Sequence, residues 1–345
     1  MVMTVYITNM HGQMRNSTAQ IAQNMAAQFA DEIGIKELGY YFYDASAEPA
    51  GELSARLDGI LSSLTVDDIV ILQEPTWMEM QWQQRLVDKI NAYRQEYRVK
   101  LIMFVHDVAP LMFDNPARVP EWIDFYNQAD VLILPMPQMK QELDKWGLKV
   151  KKIVYQQAWD ALTADQLTGE SPYRTVLNFA GSPSKFTFVN DWHEKVPLEV
   201  FADPTAPLDN PQVRFQGYVP NEHLIECLHQ NGGFGLLWEA SPTVYEYMKL
   251  NVNFKFGSYL AAGLPIVIHR GIAQADLVEK YHLGKVVDSL AEASEWVQSV
   301  TEDQYRQLAD HVYRFGWLNR QGMFTKRALT EAVFSSAPGR VGLRD

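Results

Sequence analysis

The chain has 345 residues, 47% of them hydrophobic and 21% charged, with 42 acidic residues against 30 basic ones and a formal net charge of −12. That length exceeds one ordinary core and predicts two domains of roughly 150–180 residues each, with globular rather than disordered composition. The acidic balance, with no Lys/Arg-rich run, excludes nucleic acid as a main partner, because phosphate backbones demand a concentrated basic face. A single cysteine, Cys227, excludes an internal disulfide and a cysteine-built zinc site.

The first residues, MVMTVYITNM, read as a strand without a basic n-region. No apolar run reaches the roughly 18 residues of a membrane span, so a cytoplasmic protein is expected, with peripheral membrane contact left open. Short apolar, β-branched runs then alternate with helical patterns: TVYIT (4–8), YYFY (40–43), DIVILQ (68–73), KLIMFVHD (100–107), VLILP (131–135) and KIVYQ (152–156). Helical segments lie between them at Ser17–Ala30, Gln81–Tyr97, Glu121–Gln128 and Pro137–Trp146. Continuous apolar strands alternating with helices predict a parallel sheet covered on both faces.

A polar, turn-rich stretch over 161–174 reads as a linker, and the pattern restarts after it. TVLNFAG (175–181), LEVFA (198–202), VRFQGY (213–218), FGLLWE (234–239), PIVIH (265–269) and GKVVD (284–288) are the second set of strands. Helices over Glu302–Phe315 and Arg320–Phe334 close the chain. The expected fold is α/β, with two doubly wound, Rossmann-like domains (1–160 and 175–318) facing one another across a cleft. A C-terminal helix, 319–335, is expected to return to the first domain.

In such sheets ligands bind beyond the carboxyl ends of the strands. After the first strand, NMHGQMRNST supplies Gly12 for backbone freedom and Ser17 and Thr18 as helix caps. After the third, Gln73 and Glu74 end an apolar run that Pro75 stops. After the fourth come His106 and Asp107, whose side chains point to opposite faces. Either is a candidate general base on a hydroxyl, the histidine by its near-neutral pKa and the aspartate if desolvation raises its own.

In the second half, NFAGSPSKF offers Gly181, Ser182 and Lys185, small residues and a cation suited to a phosphate. Tyr218 ends another strand and suits stacking on a base or sugar ring. Glu239 opens a long loop carrying Lys249 and Asn253, which leads into a helix over Phe254–Ala262 with Lys255 in its first turn. A cation there opposes the usual preference for acids at a helix N-terminus, unless an anion sits between the ammonium and the amides. No G-x-G-x-x-G follows the first strand, and no Walker A or G-x-S-x-G motif occurs. The remaining histidines lack ligand spacing, so neither a metal nor a cofactor is expected.

FVHDVAPLMF, NFAGSPSKF, FQGYVP, NRQGMFTKRAL and, most specifically, YEYMKLNVNFKFGSYLAAGLPIVIHRGIAQADLVEKYHLG resemble segments of one bacterial group of GT-B glycosyltransferases. That group contains glucosyltransferases that extend O-glycans on serine-rich adhesins and galactofuranosyltransferases of polysaccharide assembly. The resemblance implies GT-B architecture, a UDP-sugar donor on the C-terminal domain, a glycan or glycoprotein acceptor on the N-terminal one, and no metal. It places Gly181, Tyr218 and Lys255 in nucleotide-binding segments, with Lys255 on the diphosphate and Lys249 in the donor loop. It turns Arg15, Ser17 and Thr18 toward the donor, and His106 and Asp107 toward the acceptor. The family pattern has arginine where this chain has Met112, and Pro-His where it has Asn253-Phe254. Both departures bear on which sugar is moved. An inverting reaction would make Asp107 or His106 the base; a retaining one would make both acceptor-positioning residues. A homo-oligomer is expected. The alternative readings are a UDP-sugar epimerase, and a non-catalytic sugar-nucleotide-binding partner of another transferase.

Overall fold

The computed structural model describes residues 3–14, 16–163, 167 and 169–336. Its chain divides into two compact units, one of residues 1–156 and 325–345, the other of residues 157–324. Residues 164–166 and 168 of the expected linker lie outside the described residues.

The first unit runs β1 (Val5–His11), α1 (Thr18–Asp31), β2 (Lys36–Tyr41), α2 (Ala50–Ile60), β3 (Ile69–Glu74) and α3 (Met80–Tyr97). It continues with β4 (Lys100–Val105), α4 (Ala109–Met112), α5 (Val119–Tyr126), β5 (Val131–Leu134), α6 (Pro137–Lys145) and β6 (Ile153–Tyr155). Its strands form a six-stranded parallel sheet in the order β2-β1-β3-β4-β5-β6. Every residue of β3 is buried, which is why its sequence shows an unbroken apolar run rather than alternation. Glu74 pairs in register with Val105, so β3 and β4 end level and their following loops leave the same edge.

The second unit contains β7 (Leu177–Phe179), β8 (Leu198–Val200), β9 (Val213–Phe215), α7 (Asn221–Asn231), β10 (Phe234–Leu237) and α8 (Pro242–Met248). Then follow α9 (Phe254–Ala262), β11 (Ile266–His269), α10 (Ala275–Lys280), β12 (Gly284–Val287), α11 (Leu290–Ser299) and α12 (Glu302–Arg320). Its six-stranded sheet is again all parallel, in the order β12-β11-β10-β7-β8-β9. Helix α9 is buried along its length from Phe256 to Ala262. It ends on Gly263 in the left-handed region at φ 72°, and α12 crosses it where a Cβ on Gly316 would come within 2.1 Å of the Leu260 carbonyl oxygen.

Two expectations about elements need correction. The long loop expected after Glu239 contains helix α8, started by Pro242 at its first position; its β-branched and aromatic residues carry little helical signal. Helix α12 does not stop at Phe315 but continues to Arg320, begun by a Thr301–Gln304 capping box. The last helix, α13 (Met323–Ser336), is bound to the first unit. Lys326 pairs with Glu32 at 2.6 Å, Arg327 donates to the Tyr155 carbonyl at 2.6 Å, and Lys152 donates to the Ser335 carbonyl at 2.7 Å.

Candidate active site

At the carboxyl edge of the second sheet, the turn after β7 rides over two aromatic rings. A Cβ at Gly181 would lie 2.8 Å from Phe179 and 3.0 Å from Phe186, so a larger residue would push the turn off them. The Ser182 and Ser184 hydroxyls bond each other at 2.8 Å, and the amides of Lys185 and Phe186 donate to the Ser182 carbonyl at 3.1 and 3.0 Å. This tight turn brings the exposed Lys185 ammonium to 5.5 Å from the centre of the Phe186 ring. Lys255 lies over the same ring at 3.9 Å, and 5.3 Å from that of Phe179.

Two cations thus share one ring, an arrangement that a nearby anion stabilises and an empty low-dielectric site does not. The cost registers on Lys255, whose pKa falls to about 7 through burial, with the Lys185 charge adding to the drop and the Glu239 carboxylate opposing it. Glu239 does not neutralise the pair. It is 2% exposed, and its Oε1 accepts from the amides of Ala240 and Ser241, each at 2.8 Å. Its Oε2 has no hydrogen-bond partner among the described residues.

Asn253 caps α9, its side-chain oxygen accepting from the Lys255 amide at 2.9 Å, while its own amide donates to the buried Gln274 at 3.2 Å. The cap therefore takes an amide that was expected to face an anion. What α9 offers a ligand is the positive end of its dipole, with no acidic side chain in the first turn. Lys249 is held elsewhere: it pairs with Glu246 at 2.6 Å and lies 4.6 Å over the Tyr245 ring. Tyr245 stacks on His269 at 4.7 Å and His269 on Trp238 at 4.0 Å, so Lys249 belongs to this aromatic wall. Tyr218 follows β9, two strands from β7, with its side chain 54% exposed and its amide donating to Asp203 at 3.1 Å.

At the carboxyl edge of the first sheet, burial disfavours charge on two of the groups. Glu74, at the end of β3, is fully buried, and neither carboxyl oxygen has a side-chain partner among the described residues. Burial pushes its pKa well above the usual carboxylate range, a direction that favours the protonated acid. The His106 amide donates to the Glu74 carbonyl at 2.6 Å, and its ring meets Phe104 edge-on at 4.5 Å. Burial drops the His106 pKa to about 3, which makes the imidazole a weak base and removes it as the stronger of the two base candidates. Asp107, one residue on in the loop that follows β4, is partly exposed. In the loop after β1, the Ser17 hydroxyl caps α1 by accepting from the Gln20 amide at 3.4 Å and donates to Gln13 at 2.5 Å; Thr18 begins the helix, exposed. Arg15 lies outside the described residues.

Of the expected residues, the fold gathers Gly181, Ser182, Lys185, Asn253 and Lys255 at one edge and places His106 beside Asp107 at another. It sets Lys249 and Tyr218 apart from the lysine pair. Glu74 and Glu239 stand at strand ends in the sequence, where nothing local assigns them a role. Phe179 and Phe186 carried no sequence signal, because a ring beneath two lysines is created only by tertiary packing. Among the described residues, no three His, Cys, Asp or Glu side chains cluster as a metal site, and no helix is long and apolar enough to cross a membrane.

Residues 4–158 match the family model described as Glucosyltransferase 3-like, N-terminal domain, and residues 177–332 match its C-terminal domain counterpart. Glucosyltransferase 3 of Streptococcus parasanguinis is 39% identical over 335 residues, covering 97% of this chain and 99% of that protein. The β-1,6-galactofuranosyltransferase WbbI of Escherichia coli (strain K12) is 23% identical over 297 residues, covering 81% of this chain and 83% of its own length. Among solved structures, the Anabaena protein HepE in complex with UDP and glucose superimposes with a TM-score of 0.60 at 11% identity, covering 96% of this chain and all of that one. A sucrose-phosphate synthase from Thermosynechococcus elongatus gives the same TM-score of 0.60, also at 11% identity and 96% coverage. At such identities these structures share the fold: two parallel α/β sheets of the GT-B type.

Proposed function

Because the chain belongs to the glucosyltransferase 3-like family, we propose that it is a UDP-sugar glycosyltransferase that moves a hexosyl group to a hydroxyl of a glycan acceptor. The observation that carries the reading is the lysine pair over Phe186 at the N-terminus of α9. In the reaction the bond from the anomeric carbon to the diphosphate oxygen breaks, and negative charge develops on the leaving UDP. Lys255, Lys185 and the α9 dipole meet that charge in a partly desolvated site, where electrostatic stabilisation of the transition state is strongest. A diphosphate between the lysines also restores the protonated form of Lys255, so binding and charge neutralisation proceed together.

The acceptor oxygen forms the new bond and loses its proton. Asp107 is the group we assign to that side. If the product has inverted configuration, it takes the proton; if configuration is retained, it orients the hydroxyl. Its family relatives are named as glucosyl- and galactofuranosyltransferases, so glucose and galactofuranose are the first donors to try. A cytoplasmic location, where nucleotide sugars are available as substrates, belongs to the same proposal. The test is a panel of UDP-sugars against glucose- and GlcNAc-terminated acceptors, following UDP release and product linkage. Release that depends on acceptor supports transfer. Donor turnover into an isomeric UDP-sugar without acceptor would replace it with epimerisation, and UDP binding without turnover would leave a binding subunit.

A further inference from the structure

We propose that Trp77 and Phe113 form a stacking platform for a sugar ring of the acceptor, a subsite that rests on the transferase reading above. Trp77 sits in the loop that follows β3, and Phe113 closes α4, the short helix that follows β4; the two strands end level at Glu74 and Val105. The platform therefore lies at the same sheet edge as Asp107.

Trp77 adopts φ 61°, the left-handed region that bulky L-residues rarely occupy. The surrounding backbone is tied down on both sides of it. The Pro75 carbonyl accepts from Gln23 at 2.9 Å, the Thr76 carbonyl from the Tyr40 hydroxyl at 3.0 Å, and the Met78 carbonyl from Gln83 at 3.1 Å. The Thr76 amide completes the set by donating to Gln83 at 3.4 Å. Strained conformations persist where neighbours over-determine them, and here the bonds fix the main chain while the indole is left half-buried at the surface. Phe113 stands against it edge-on, ring centres 6.4 Å apart and planes at 77°, with 63% of the side chain exposed. Its amide closes α4 on the Ala109 carbonyl at 3.0 Å, which sets the ring's position without burying it.

An exposed aromatic pair held this firmly serves a ligand with flat apolar faces. A pyranose has such a face of C–H bonds, rimmed by hydroxyls. Polar groups for that rim follow close in sequence: Asp107 in the loop after β4, and Gln81, four residues after Trp77, which with Met80 lies at the α3 end of a groove of about 750 Å³ between α3 and α5. An apolar protein partner would need contiguous apolar surface instead of amides and carboxylates.

The experiment compares wild type with Phe113→Ala and Trp77→Phe, using the UDP-sugar found in the donor screen and a glucose- or GlcNAc-terminated oligosaccharide. Phe113→Ala should raise the acceptor KM about tenfold, on the scale of one aromatic contact. UDP affinity by calorimetry and acceptor-independent donor hydrolysis should stay at wild-type values, and Trp77→Phe should keep most of the acceptor affinity that Trp77→Ala loses. An acceptor KM within twofold of wild type in Phe113→Ala overturns the platform. Saturation-transfer NMR of the oligosaccharide on both proteins reads the same contact without turnover. Equal transfer to both overturns the platform even if the transferase reading stands; loss in Phe113→Ala supports it even if the wild type releases no UDP, an outcome that would sink only the transferase reading.

Discussion

The carboxyl edges of the two sheets share a topology and differ in charge. In the second unit, Lys255 and Lys185 crowd one phenylalanine ring, and the nearest carboxylate, Glu239, spends one oxygen on backbone amides. In the first, burial favours the uncharged forms of Glu74 and His106, and Asp107 beside them is partly exposed. One edge suits a ligand that arrives with negative charge and leaves with more. The other suits a neutral, hydroxyl-bearing ligand from which at most a proton is removed. On the function proposed above, the same doubly wound frame would serve both halves of a transfer reaction, with burial deciding which charges each edge keeps.

Exchanging charge at either edge should separate the two roles. Asp107→Asn has the largest expected effect: a fall in kcat of about 10²–10⁴-fold if it removes the acceptor proton, with UDP affinity by calorimetry unchanged. A drop below about tenfold reduces it to orientation, and the anomeric configuration of the product, read by NMR, decides between the two independently. Next comes Lys255→Ala, expected to weaken UDP binding about 10- to 100-fold through loss of a charge-assisted contact. Its acceptor KM should stay constant; equal loss on both substrates would dissolve the contrast between the edges.

A pH dependence follows from the same lysine. With a pKa of about 7 in the free protein, Lys255 is mostly neutral above that pH, whereas a bound diphosphate favours the ammonium. UDP binding should therefore take up a proton and weaken as pH rises above about 7, by at most about tenfold per pH unit. Calorimetry near pH 8 in two buffers of different ionisation enthalpy measures the uptake directly. His106, by contrast, should add no limb near pH 6–7 to the acceptor kcat/KM profile, since its pKa is already down at about 3. The smallest effect is expected for Glu74→Gln, which keeps the shape and neutrality of a protonated acid: a melting shift of about 2 °C or less. A large shift would mean that the carboxyl is ionised, and that the first edge is less neutral than described.

Much of the fold was legible because its signals are local. Strands buried on both faces leave unbroken apolar runs, and β3 and β4 are two of them. Helix α9 carried its own cap at Asn253 and its own stop at Gly263, and both ends fall where the sequence put them. Lys255 stood out for the same reason, as a cation at the wrong end of a helix. What stayed hidden depends on partners distant in sequence. Nothing around Phe186 announces that a lysine 69 positions later will lie on its ring (186 to 255). The weak basicity of His106 comes from surrounding packing that its dipeptide cannot display. Trp77 eluded the reading because tryptophan predicts no left-handed backbone; the side chains that impose it come from Gln23, Tyr40 and Gln83.

Helix α13 has a consequence for how the protein is made. The first unit is discontinuous: its strands emerge from the ribosome first, but Ala328, Leu329 and Ala332, all buried, are among the last described residues to be translated. The unit that begins first is therefore finished last, after the intervening second unit has all its strands and its own core. Until then, the surface that will receive α13, including Glu32 and the Tyr155 carbonyl, waits without its cover. Nascent chains stalled before Met323 should accordingly bind UDP while the first unit is still vulnerable to protease, so that synthesis itself orders the two units in time.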